Sequence, residues 1–552
     1  MKMQRRLPQI ALACAALGCS LAASAGTYYV SPSGSDTAAG TLAAPWKSIT
    51  RAQTTAVAGD TVYVRGGTYS IKAGVNTCAS QTDTVNAFLL NKSGTASKPI
   101  TYAAYSGETP VFDFSGMSDD CRIKGFNITA SWVTLKGLEV KGVPQHNNLN
   151  HESWGVWING SYNVIERLNV HNIMGAGVFI QNGGNNLVLN TDSHDNYDPL
   201  TSNGAGQSAD GFGAHIAAGY PGNVFRGCRA WSNSDDGFDL INAYSSVTIE
   251  NSWAWSHGYL PGTTTPVAAG NGNGFKIGGY GGVYVSNGVK HTLRQSVAFN
   301  NKSAGVYTNH HTVANDYFNN TSYNNGVDFN MLGIDSGGNA VGLGTLRNNI
   351  AYKGTLTSNM TGVNTRYNTW DSATGVSVSD ADFQSVSTSG WDAARQSDGS
   401  LPAVKMLHLV SGSDLIDKGG VVSLPYNGSL PDLGAFETGT AASSSSVASS
   451  TASSTASSSS SSKASSSAAS SAASSSGSGP VLTGTGDYPD GFSKCADEGG
   501  TCSVSKGTGW VAYGRKGKWV TRNVGVGKSI ACTASAFGSD PGGNPNKCSL
   551  QN

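Results

Sequence analysis

Along most of the chain, apolar residues come in pairs and triplets separated by short runs of Asn, Ser, Thr and Gly. Apolar stretches this short, bounded by turn-forming residues, predict many brief strands joined by tight turns. Two marks recur. The first is an aromatic or apolar residue two positions before an Asn: Val170/Asn172, Trp231/Asn233, Phe299/Asn301 and Tyr323/Asn325, with His194/Asn196 in the same frame and Trp255/His257 as a degenerate copy. Successive copies stand 24, 37, 24, 44 and 24 residues apart. The second mark is a Gly followed by a large apolar residue, at Gly177-Val178, Gly211-Phe212, Gly237-Phe238, Gly274-Phe275, Gly305-Val306 and Gly326-Val327. A period near 24 with two long intervals predicts one coil per period plus two insertions, residues 197–209 and 258–272.

A unit of three short strands cannot bury its apolar face alone, whereas stacked units share one continuous core. The recurrent Asn then forms an interior ladder, its amide bonding to the neighbouring coil. These features predict an all-β chain, a right-handed parallel β-helix. Leucine-rich and propeller repeats would need a Leu or Trp-Asp periodicity that is missing here.

Aligning the coils on the Gly-apolar mark gives a map of the surface. The residue after Gly points inward (Phe212, Phe238, Phe275, Val306), so the next points outward: Gly213, Asp239, Lys276 and Tyr307. The residue before Gly gives a second column, Asp210, Asp236, Asn273 and Ala304. Asp210, Asp235, Asp236 and Asp239 thus converge within two coils, with Lys276 on the next. Four carboxylates so close call for a hard cation, and an all-oxygen set without His or Cys suits calcium better than zinc, copper or magnesium. Read singly, Ser234 to Asp239 is equally a solvated acidic turn. Lys276 is a base if nearby cationic charge or burial lowers its pKa, and a simple ion-pair partner of Asp239 if not. Both insertions leave the helix at one turn, immediately before Asp210 and Lys276, and should wall a groove over these columns.

Charge then narrows the partners. Charged residues are only 13% of the chain, and 35 basic side chains balance 35 acidic ones, which argues against nucleic acid or a membrane surface as the partner. Residues 1–25 read as a signal peptide: basic MKMQRR, an apolar run, then Ala23-Ser24-Ala25. A lipid-attachment site at Cys19 is the alternative. The protein is therefore expected to be secreted. Residues 442–479 are almost only Ser and Ala, a linker with no face to bury. It divides a body, residues 26–441, from a small module, residues 480–552. In an exported chain, Cys495, Cys502, Cys532 and Cys548 predict two disulfides in that module; Cys78 and Cys121 suit a third, leaving Cys228 as a buried thiol. Trp510, Tyr513 and Trp519 beside Arg515, Lys516 and Lys518 suit either a polysaccharide surface or the core of a tiny domain.

The combination of Asp210-Gly-Phe, SDDGFD at 234–239 and NGFKIGG at 273–279 resembles polysaccharide lyase family nine, the pectate lyases with a ten-coil β-helix. The resemblance covers residues 27–438. It implies that Asp210, Asp235, Asp236 and Asp239 hold Ca2+, that Lys276 is the catalytic base, and that α-1,4-polygalacturonate is cleaved by β-elimination. It also implies an amphipathic helix near Trp46 to Ala56 covering the open end, and PDLGAFE at 431–437 as the last coil. Tyr307, His310 with its neighbours Asn309 and His311, Arg294 and Lys302 are candidate substrate contacts. The module is expected to bind carbohydrate and the enzyme to act as a monomer. Alternatives are a lyase on another uronate polymer such as alginate, a polygalacturonase-type hydrolase with an acid and a base carboxylate flanking the bond, and a non-catalytic polysaccharide-binding β-helix.

Overall fold

The computed structural model describes residues 25–439, apart from 147–151 and 203, and most of 487–551 in a second unit. All but the last residue of the expected signal peptide, and the whole Ser/Ala linker, lie outside the described residues.

Each coil of the body gives one short strand to each of three parallel sheets. A twelve-stranded sheet runs from Thr27–Val30 to Asn364–Arg366; a ten-stranded sheet from Thr84–Leu90 to Thr355–Ser358; and another ten-stranded sheet from Gly67–Ser70 to Ile350–Tyr352. The second of these carries the Gly-apolar marks and is called here the site sheet; the last mark is two residues out of frame, because Phe329 and not Val327 pairs with Val306. Its inward residues stack ring on ring, with Phe212, Phe238 and Phe275 centroids 4.7 and 5.0 Å apart.

The Asn ladder is present. Asn196 N donates to Asn233 Oδ1, His257 N to Asn301 Oδ1 and Asn301 N to Asn325 Oδ1, while Asn233 N donates to His257 Nδ1. Asn172 is not a member. His171, not Val170, pairs with His194, so Ile173 holds the ladder position and donates to Asn196 Oδ1. The sequence frame of that first copy was therefore one residue early. Asn172 belongs instead to the corner column Asp195, Ser232, Ser256, Asn300 and Asn324, all with φ between 51° and 58°; short polar side chains tolerate that left-handed turn best. A second ladder, through Asn163, Asn186 and Asn223, lines another corner.

The ladder also explains the recurrent glycine. A Cβ at Gly237 would lie 2.5 Å from the Gly274 carbonyl and 2.6 Å from His257 Nε2, and Gly274 is equally crowded by Gly305 and Asn301. Only glycine fits between a ladder side chain and the backbone of the next coil.

At the open end, Ile49–Thr55 is a helix capped by Ser48, which accepts from Arg51 N, and it buries Ile49 and Ala52 as an amphipathic cap should. The other end departs from expectation. Residues 431–437 form no strand; Leu433 joins Trp391, Leu409 and Leu415 in a layer against Trp253, Trp255 and Phe299 of the third sheet. Asn368 and Trp370 still extend the ladder and the interior core, and from Val376 the chain is a flank covering and not a last coil.

The C-terminal unit holds a four-stranded and a two-stranded antiparallel sheet. Disulfides join Cys495–Cys502, Cys532–Cys548 and, in the body, Cys78–Cys121, and Cys228 is a buried free thiol. Disulfides of this number point to an oxidising, extracellular setting. Tyr513 is fully buried, its hydroxyl donating to Glu498, so it is core and not a sugar platform.

Candidate functional site

The strands Phe212–Ala214, Phe238–Asp239, Phe275–Lys276 and Ala304–Tyr307 lie side by side in the site sheet. Their register pairs Gly213 with Asp239, Asp239 with Lys276, and Lys276 with Tyr307, which is the outward column read from the sequence. In the neighbouring column each side chain holds the next coil's backbone. Asp210 Oδ1 accepts from Asp236 N at 3.1 Å, Asp236 Oδ1 from Asn273 N at 2.7 Å, and Asn273 Oδ1 from Ala304 N at 3.1 Å. Asp239 Oδ1 likewise accepts from Ile241 N. One oxygen of each carboxylate is thus fixed by the scaffold.

Asp210, Asp236 and Asp239 each offer an oxygen, and these atoms lie within 4.8 Å of one another. Lys276 Nζ sits 2.9 Å from Asp239 Oδ2 and 3.1 Å from Asp236 Oδ2. Both are buried ion pairs, with the hydrogen bond to Asp239 the better aligned of the two. Asp235 is buried alongside but turned elsewhere, its Oδ1 accepting from Asn271 N. Four carboxylates against one ammonium leave a buried excess of negative charge. Burial, then mutual repulsion, pushes the carboxyls of Asp210 and Asp235 well above the usual aspartate range and raises Asp236 too. Burial is also the largest influence on Lys276 and pulls it down, but Asp236, Asp239, Asp235 and Asp210 together outweigh it and hold the ammonium well above its ordinary value. An all-oxygen donor set and this charge imbalance fit a hard divalent cation.

The two insertions pack together beside the cluster. A Cβ at Gly206 would meet Val267 and one at Gly204 would meet Ala269. Lys302 donates to the carbonyls of Val267 and Gly270, so it ties down the second insertion and is not a free substrate contact as first read. That insertion delivers a residue the sequence reading missed: Asn271 Oδ1 accepts from Lys276 Nζ at 3.1 Å. His215, also missed, brings Nε2 to 3.9 Å from Asp239 Oδ2; burial lowers its pKa.

An open groove next to Lys276 is lined by Asn271, Asn273, Ser303, Tyr307, Asn309 and Asn330, among others. Tyr307 borders it with its hydroxyl 3.2 Å from His310 Nδ1. His311 is buried, with both ring nitrogens engaged by Gly279 N and Val289 O, and is structural. Arg294 is not brought to the site at all. It lies on the twelve-stranded sheet in an ion pair with Glu250, which Arg226 shares. Outward residues of all three sheets look alike in sequence, and only register assigns them.

Fold and site together define a parallel β-helix enzyme whose chemistry sits on one open sheet. The chain belongs to the family described as Pel9A-like, right-handed β-helix region, which matches residues 28–349, and by homology it is a polysaccharide lyase of the pectate lyase class. A pectate lyase L of Dickeya chrysanthemi is 37% identical over 415 residues, 74% of this chain and 90% of that one. Among solved structures, a pectate lyase Pel9A is 34% identical with a TM-score of 0.63, covering 75% of this chain and 97% of its own. A rhamnogalacturonan lyase, also 34% identical, has a TM-score of 0.65 and covers 70% and 97%.

Proposed function

We propose that the protein is a secreted, calcium-dependent pectate lyase that cleaves polygalacturonate by β-elimination. The observation that carries this reading is the buried meeting of Lys276 with Asp236 and Asp239 beside Asp210, on one sheet open to a groove. Asp210, Asp236 and Asp239 would hold the ion, with Asp235 as a fourth carboxylate. Bound there, calcium would supply Lewis-acid stabilisation of the charge that develops as a proton leaves C5 of a uronate.

Lys276 Nζ is the atom that takes that proton. Asp239 and Asn271 orient it, through hydrogen bonds of 2.9 and 3.1 Å. With a divalent cation held by the carboxylates, the charge that raises Lys276 would be offset, leaving the opposing pull of burial to lower its pKa toward the range a base needs. As the C5–H bond breaks, its electron pair forms the C4–C5 double bond and the C4 glycosidic oxygen departs, protonated by solvent. Tyr307, at the groove, with His310 against its hydroxyl, is suited to hydrogen-bond sugar hydroxyls. The N-terminal segment would direct export, and the C-terminal module, with Trp510 and Trp519 half-buried, would add carbohydrate binding.

The similarity to a rhamnogalacturonan lyase favours a second substrate, a polymer in which galacturonate alternates with rhamnose. One assay separates the two: absorbance of unsaturated product from polygalacturonate and from rhamnogalacturonan, with calcium and with chelator. The proposal expects chelator-sensitive absorbance from polygalacturonate. Product from rhamnogalacturonan alone would transfer the activity to that polymer, and reducing ends without absorbance would indicate a hydrolase.

A further inference from the structure

The outward columns of the site sheet continue past the carboxylates. Strand by strand back from Asp210, the same position is held by Ala176, Trp154 and Lys124. Back from Asp239, it is held by Gly213, Phe179 and Trp157. Ala176, Trp154, Phe179 and Trp157 are themselves buried, so the columns pass from the partly exposed Lys124, across covered rings, to the carboxylates and then to amides and Tyr307.

Trp154, Trp157, Ala176 and Phe179 form a small apolar cluster of their own, outside the interior core. Phe179 lies flat over Gly213, where a Cβ would come within 2.5 Å of its ring. On the other side, Lys124 Nζ stands 3.7 Å from the centre of the Trp157 ring and 5.5 Å from that of Trp154. The Arg122 guanidinium lies 5.2 Å from Trp154. Indole faces hold these cations in place. Lys124 is half-buried and, among the described residues, is paired with no carboxylate; burial, then the charge of Arg122, lowers its pKa to about 8. A partly desolvated ammonium that is held in place but not neutralised is ready for an anion, and a charge-assisted bond to carboxylate is the strongest contact it can make.

We propose that Lys124 is a binding subsite for a carboxylate of the polymer, four strand spacings, or about 19 Å at about 4.8 Å each, from Asp236. The inference rests on the uronate-polymer reading and extends it: the substrate would pass over the covered rings between the two places, engaging the partly exposed Lys124 several sugars away from the bond that breaks at Lys276. The subsite thus contributes to holding long chains and not to the chemical step.

Full-length protein with calcium tests this. Lys124→Ala is expected to raise KM for polygalacturonate about tenfold, the loss of one charged hydrogen bond, with kcat little changed. Kinetics on trigalacturonate, too short to span both places, should not move, and Lys124→Arg should restore the polymer KM. Lys124→Met, which keeps an apolar stem on the indoles, serves if the Ala variant does not fold. A KM for the polymer unchanged by both Lys124→Ala and Lys124→Met overturns the subsite and leaves the lyase reading standing. If the wild type makes no unsaturated product, the lyase reading fails, and gel retention by immobilised polygalacturonate decides the subsite instead. Retention about tenfold weaker in Lys124→Ala supports it, and equal retention overturns it.

Discussion

Lys276 and Asp239 are direct cross-strand partners on adjacent coils, and their side chains meet at 2.9 Å between Nζ and Oδ2. The pairing is fixed by the repeat itself, because the strand register that stacks Phe275 on Phe238 also stacks Lys276 on Asp239. Both side chains are thereby held on rigid backbone, and among the described residues loop residue Asn271 is the one irregular contributor to the lysine's hydrogen bonds.

Asp236 should be the most sensitive of the carboxylates. Asp236→Asn keeps an Oδ1 to accept from Asn273 N while removing one negative charge from the nest. Calcium affinity, followed by isothermal titration, should fall by more than about tenfold with the fold intact by circular dichroism. Unchanged affinity would move the ion elsewhere.

Asn271→Ala removes an acceptor from Lys276 Nζ but no carboxylate. The expected result is a kcat lowered about tenfold or more, from a base left mispositioned, with calcium affinity nearly unchanged. A matched loss of calcium binding would instead make Asn271 a support of the metal nest.

Stability should depend on pH in opposite senses with and without metal. The carboxyls of Asp210, Asp235 and Asp236 are raised in the folded protein, so the folded state holds protons that the unfolded state has released. The contribution of these three carboxyls to the stability of the calcium-free protein is then fully present below the ordinary aspartate pKa and is lost as pH rises through the raised folded values. Calcium binds the ionised carboxylates and should restore stability in that same upper window, by about 2.7 kcal/mol at a hundred times its Kd. Thermal unfolding across pH, with calcium and with chelator, checks this; parallel curves would contradict it.

The second kind of stabilisation is the ladder. Asn301 accepts from His257 N and donates to Ala254 O and Asn325 Oδ1, all in the dry interior. Asn301→Ala strands those groups and should cost about 1–3 kcal/mol per unsatisfied partner, read as a lowered midpoint in urea unfolding.

How much of this was legible follows from which residues repeat. The Gly before Phe212, Phe238 and Phe275 recurs because sterics at the ladder admit nothing else, and a large apolar residue follows it into the core, so the columns of Asp239 and Lys276 could be read directly. The Asn163–Asn186–Asn223 ladder carried a comparable signal, spacings of 23 and 37, but it was overlooked because the residues around it are less aromatic. Val170/Asn172 was misframed because the corner Asn at positive φ and the ladder Asn are one residue apart and chemically identical. Asn271 was not legible: it arrives from an insertion without a period, and its place depends on how 258–272 folds back on 197–209. Arg294 was assigned to the site from its charge alone, with no register to say which sheet it faces.

The central claim, that Lys276 is the base beside a carboxylate-held cation, is tested most directly by Lys276→Ala in saturating calcium. The measurement is the absorbance of unsaturated product from polygalacturonate, with calcium binding followed on the same sample. The account predicts calcium still bound and product formation reduced by at least about hundredfold, the usual worth of a positioned base. Product at close to the wild-type rate from a calcium-loaded Lys276→Ala protein would contradict it.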